Sequence, residues 1–158
     1  MHTQIVATRY FVFIFLALFA ATQLPLYWVE YPDILDFPNH LARLHILIHL
    51  SESETLQQYY TLRHLKIGTN LAMEVIVPLL AKGMSLMLAL KIFASLAMLL
   101  VTTGAVALGR VIHGQTSYLL LGVLFFAQNA MFQMGLLNYL FGLGLAFWLL
   151  AAWIYTQN

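Results

Sequence analysis

The chain has 158 residues, of which 62% are apolar and only 8% charged, with a mean hydropathy of +0.84. A soluble domain carries about a quarter charged residues, so this composition points to a bilayer. The net charge of +1, with scattered basic residues, excludes a nucleic-acid surface, and the absence of cysteine excludes disulfides, thiolate metal sites and cysteine nucleophiles.

In chain order, residues 9–28 form the first expected span. Arg9 and the apolar run after it resemble the start of a secretory signal. The run continues through Gln23 and Pro25 to Trp28 without a small-residue cleavage site, so an uncleaved anchor is the better reading. A polar segment, residues 29–84, follows and contains all six carboxylates: Glu30, Asp33, Asp36, Glu52, Glu54 and Glu74. Because a carboxylate is costly in hydrocarbon, this island is where chemistry is expected.

Within the island, Asp36 precedes Pro38, which suits the N-cap of a helix running to Leu50. On that helix Asp36, His40 and Arg43 share a face, so a carboxylate, an imidazole and a guanidinium can serve one cavity or simply cap and pair. His45, His49 and Glu52 also follow one another by about a turn, a weak match to a metal site that equally fits imidazoles at a water interface. The stretch from Leu71 to Gly83 is apolar but holds Glu74, Pro78 and Lys82, and reads as an interfacial or half-inserted helix with Glu74 near enough to Lys82 for an ion pair.

The second span is expected at residues 85–108. Residues from Tyr118 to Tyr155 are almost continuously apolar and, as one helix at about 1.5 Å per residue, would far exceed a hydrocarbon core of about 30 Å. The chain must therefore turn, and the polar run from Gln128 to Gly135 marks the place. This gives a third span at 117–130 and a fourth at 135–155, the latter bearing Gly142 and Gly144, small residues suited to close helix contact. The expected fold is all-α: a single polytopic membrane domain of about four transmembrane helices, with interfacial helices in the first long loop. No phosphate loop, His-Glu-x-x-His or serine elbow is present.

The segments Asp36-Phe37-Pro38-Asn39-His40-Leu41-Ala42-Arg43, Asn70-Leu71-Ala72-Met73-Glu74 and Gly135-Leu136-Leu137-Asn138-Tyr139-Leu140-Phe141-Gly142 resemble stretches of uncharacterised bacterial multi-pass membrane proteins. Their layout is that of the N-terminal module of GT-C-type membrane glycosyltransferases. The resemblance implies a polyprenyl-phosphate-linked sugar as donor. It also implies an acidic residue of the first outer loop as base, here Asp33 or Asp36, and in some members a divalent metal. His40 and Arg43 join the candidate substrate site by proximity, and Glu74 as a carboxylate beneath the loop. Such enzymes have more spans than four, so the chain is expected to be the N-terminal part of a longer protein. Orientation is contested. Arg9 and Arg110 fall on one side, and Arg43, Arg63, Lys66, Lys82 and Lys91 on or near the other. Counting positives places the island inside, whereas the resemblance places it on the periplasmic side of a bacterial inner membrane. Two other functions fit the residues: a noncatalytic subunit that assembles with a membrane-protein partner through the glycine-bearing fourth span, and part of a transporter using Glu74.

Overall fold

The structure is a computed structural model that describes residues 2–62 and 71–157, with side chains from Arg9 onward. Arg63, Lys66 and Asn70 lie outside the described residues. Within the described set the chain is helical without strands: α1 (His2–Trp28), α2 (Phe37–His49), a 3-10 turn (Leu50–Glu52), α3 (Glu54–Tyr59), α4 (Ala72–Ala81), α5 (Leu86–His113), a 3-10 helix (Tyr118–Phe126), α6 (Ala130–Gln133) and α7 (Leu137–Gln157). Three of these are long and apolar enough to cross a membrane: Arg9–Trp28 of α1, all of α5 and all of α7.

α5 is the central post. Ser85 caps its start by accepting from the Leu88 amide at 3.3 Å, and Gly114, at φ 67°, ends it in the left-handed conformation that glycine tolerates. Between these caps Ala89, Leu90, Phe93, Ala94, Ala97 and Met98 are buried. α7 lies along α5 in the same direction, since Phe93 meets Phe141, Leu100 meets Gly144, and Thr103 meets Trp148. The approach is close enough that a Cβ on Gly144 would stand 2.6 Å from Leu100 backbone. α1 runs against α5: Tyr27 reaches Ser95 at 3.0 Å and Gln23 reaches Met98. Lys91, buried near the start of α5, donates to the Val29 carbonyl at 2.6 Å and so fastens the end of α1.

Parallel α5 and α7 require a return leg between them. It is supplied by the 3-10 helix and α6, which begin at Phe11, where Tyr118 packs, pass Gly109 at Leu120, and reach Thr22, whose carbonyl accepts from Gln128 Nε2 at 2.5 Å. The chain direction therefore reverses as four legs would require. The third leg differs from the α-helix expected over 117–130: among the described residues, α1, α5 and α7 alone have span length in α-helical form. The physical reason is reach. A 3-10 helix rises about 2.0 Å per residue against about 1.5 Å, so nine residues cover about 18 Å rather than about 14 Å.

Candidate functional site

The polar island is built on the end of the bundle where α1 finishes and where α5 and α7 begin. After Trp28 the chain turns, and the Leu35 amide donates to the Gln133 carbonyl at 2.8 Å, tying the island to the return leg. Asp36 occupies the N-cap position of α2 with Pro38 in the first turn, but its carboxylate makes no capping bond. The capping half of the expectation thus fails at the side chain. Asp36 Oδ1 instead accepts from Asn39 Nδ2 at 2.7 Å, leaving the carboxylate turned toward the α2 face that carries His40.

Phe37, His40 and Leu44 are buried on that face. His40 Nε2 lies 2.7 Å from the Gly135 carbonyl and 3.3 Å from Asp36 Oδ2. A carbonyl only accepts, so Nε2 carries the proton and Nδ1 faces Arg43 Nη2 at 3.5 Å as an acceptor. Arg43 Nη2 reaches Glu74 Oε1 at 2.5 Å, and Glu74 Oε2 accepts from Asn138 Nδ2 at 3.3 Å. Asn138 Oδ1 in turn accepts from the Met73 amide at 2.9 Å, satisfying one of the free amides at the start of α4. A continuous polar chain therefore links α2, α4 and the start of α7.

Gly135 is the joint of this arrangement. Its φ of 84° lies in the left-handed region, and a Cβ there would stand 2.8 Å from the Asp36 Cβ. Only a glycine lets the turn before α7 press on Asp36 while aiming its carbonyl at His40.

Four of the five candidate residues, Asp36, His40, Arg43 and Glu74, are thus joined. Asp33 is not. It is exposed at the edge of an adjoining cavity of about 520 Å³, lined by Trp28, Gln128 and Phe132 among others. Glu74 is committed to Arg43 rather than to Lys82, which makes no ion pair among the described residues. His49 Nδ1 donates to the His45 carbonyl at 2.9 Å with the rings 4.3 Å apart, so that pair closes on its own helix.

A divalent metal does not fit these residues. Among the described residues no three His, Asp or Glu side chains gather as a metal set, and His40 turns an N–H, not a lone pair, toward Asp36. Sequence reasoning did not place Asn138 or Gly135 in the site; it used Gly135 as the end of the polar turn. The signal available was the repeated polar and glycine punctuation just before the last apolar run.

Chemically, the arrangement presents one carboxylate with partial solvent access. The Asp36 side chain is 41% exposed, His40 10% and Glu74 19%. Asp36 is steered by Asn39 and by His40, whose own ring is fixed by the backbone. Comparison of the chain with protein families, with curated proteins and with solved structures gives no match.

Proposed function

We propose that the chain is embedded in a bacterial inner membrane with the 29–84 segment at the periplasmic face, and that it forms the N-terminal module of a GT-C-type glycosyltransferase. The observation that carries the reading is the Asp36 carboxylate, accessible on one side and oriented on the other by Asn39 and His40. In the reaction Asp36 takes the proton of an acceptor hydroxyl as that oxygen bonds to the sugar anomeric carbon. The anomeric carbon–oxygen bond to phosphate breaks, and the polyprenyl phosphate leaves with the electron pair. Asp33, at the mouth of the cavity beside Trp28 and Phe132, is placed to orient the acceptor as it meets the membrane surface.

The test uses the product of the complete reading frame in isolated membranes, supplied with polyprenyl-phosphate-linked sugars. Asp36→Asn is expected to abolish transfer at unchanged membrane abundance. Transfer retained by both Asp36→Asn and Asp33→Asn rejects the assignment.

One observation favours assembly with a membrane partner as a second reading. Gly142 faces open space, with nothing within 4 Å of a built Cβ, whereas Gly144 is consumed by α5. Gly142→Leu should then dissolve a detergent-stable complex while leaving the fold intact. An oligomeric state unchanged by this substitution removes the reading.

A further inference from the structure

The end of the bundle opposite the Asp36–Glu74 chain contains a groove of about 740 Å³ that the proposed chemistry does not use. Phe11, Phe15 and Leu16 of α1 form one wall, Leu99 and Val106 of α5 the floor, and Trp148 of α7 the other wall. The polar group in its depth, Thr103, is satisfied: its hydroxyl donates to the Leu99 carbonyl at 2.6 Å and accepts from Trp148 Nε1 at 3.2 Å. The interior is therefore apolar, with aromatic and aliphatic walls, and of a size that holds a single ligand.

The mouth is cationic. Arg110 lines it from the last turn of α5. Arg9 precedes Val12 by three positions and Leu16 by seven, so it continues the same stripe of α1 that walls the groove. Because α1 and α5 are antiparallel, both guanidiniums stand at this end, and neither makes an ion pair among the described residues. All six carboxylates lie in the 29–84 segment, which is built on the other end. A basic residue in a helix's last turn offsets the helix dipole, and basic residues commonly flank spans. Those roles account for the charges but not for an apolar groove beneath them.

We propose that this groove holds one chain of an anionic phospholipid of the surrounding bilayer, with its phosphate between Arg110 and Arg9. Length supports the occupant as well as charge. From Leu99 to Arg110 the floor runs about 16 Å at 1.5 Å per residue. One leaflet contributes about 15 Å of hydrocarbon, half of the roughly 30 Å core. A tail lying on the floor therefore ends at mid-bilayer and brings its phosphate to the level of Arg110, where a guanidinium can bind it in a bidentate fashion. A zwitterionic lipid offers the same tail and phosphate but carries its own cation, so the site selects for net negative charge.

The inference rests on the bilayer placement proposed above and not on the transferase chemistry. Resistance of the chain to alkaline carbonate extraction tests that placement separately. For the lipid itself, the whole chain is purified in neutral detergent, exchanged with equimolar phosphatidylglycerol and phosphatidylcholine, and read by native mass spectrometry. One phosphatidylglycerol per chain is expected, preferred about thirtyfold, the scale that two cations near an anionic surface supply. The Arg9→Gln, Arg110→Gln double variant, which alters exposed side chains only, should bring the ratio close to one. Ala107→Trp, which fills the floor, should expel both lipids. Equal retention of the two lipids by the parent chain overturns the proposal, as does an unchanged preference in the double variant. A parent chain free of lipid because another protein segment covers the groove overturns it equally.

Discussion

The contact between α5 and α7 makes a sharp prediction at Gly144. A methyl group there would lie 2.6 Å from Leu100 carbonyl carbon and Cβ and 2.7 Å from the Val101 nitrogen. Ordinary carbon contacts lie at about 3.5–4.0 Å, so the two helices must part by about 1 Å. The obstacle is backbone, which cannot swing aside as a side-chain tip would. Overpacking of this kind costs about 1–3 kcal/mol, and at roughly 2–4 °C per kcal/mol for a chain of this length Gly144→Ala should lower the melting temperature by about 2–12 °C. The same substitution at Gly142 meets nothing within 4 Å and gains helix propensity, so it should be neutral or stabilising by up to about 1 kcal/mol. The assay is thermal unfolding of the two variants in one detergent, followed by circular dichroism. Equal shifts in the two, in either direction, would show that α7 does not pack on α5 through Gly144, and the parallel arrangement of the two helices would fall with it.

Three further outcomes follow from single contacts. Gly135→Ala forces a side chain into the left-handed region and against Asp36, and should destabilise by at least about 1–2 kcal/mol while lowering any transferase activity through the displaced carboxylate; an unaltered melting temperature and activity would refute the joint role of this turn. Lys91→Met removes a charged donor from the Val29 carbonyl and should cost about 1.5–3 kcal/mol in the same unfolding assay, whereas no loss would mean that Lys91 does not fasten α1. For Arg43 and Glu74, a double-mutant cycle with Arg43→Met and Glu74→Gln should give a coupling of only about 0.5–1 kcal/mol, because Arg43 is 53% exposed, and this coupling should shrink with added salt. A coupling indistinguishable from zero at low salt would remove the pair from the account of what holds α2 to α4.

Much of the fold was legible because composition and length act locally. An apolar run long enough to cross hydrocarbon announces itself, and the runs that became α1, α5 and α7 did so. The turn before the last helix was legible from the polar run at Gln128–Gly135, but the 3-10 geometry of Tyr118–Phe126 was not. The four expected spans already made α5 and α7 run the same way, but the distance that the return leg must cover between them is a tertiary property that hydropathy does not encode. Nor could the sequence show which glycine is consumed inside the chain. Gly142 and Gly144 read alike along the chain, yet one faces open space and the other α5.

The site was legible in its local half. Asp36, His40 and Arg43 lie within two turns of one helix, and their shared face follows from helical spacing alone. What the spacing could not say is which partner each would take, because Glu74, Gly135 and Asn138 come from distant parts of the chain. Those partners change the chemistry. Glu74 has one oxygen on Arg43 and the other on Asn138, so it is a buttress that holds α2, α4 and α7 together. Asp36 has one oxygen on a side-chain amide and the other 3.3 Å from an imidazole N–H already engaged, at 2.7 Å, by the Gly135 carbonyl. A shared proton donor leaves that second oxygen under-committed. The carboxylate that can accept a proton without dismantling the fold is therefore Asp36, and a substitution that conserves its shape while deleting its charge separates the two roles: Asp36→Asn should leave the melting temperature nearly unchanged, and Glu74→Gln should not.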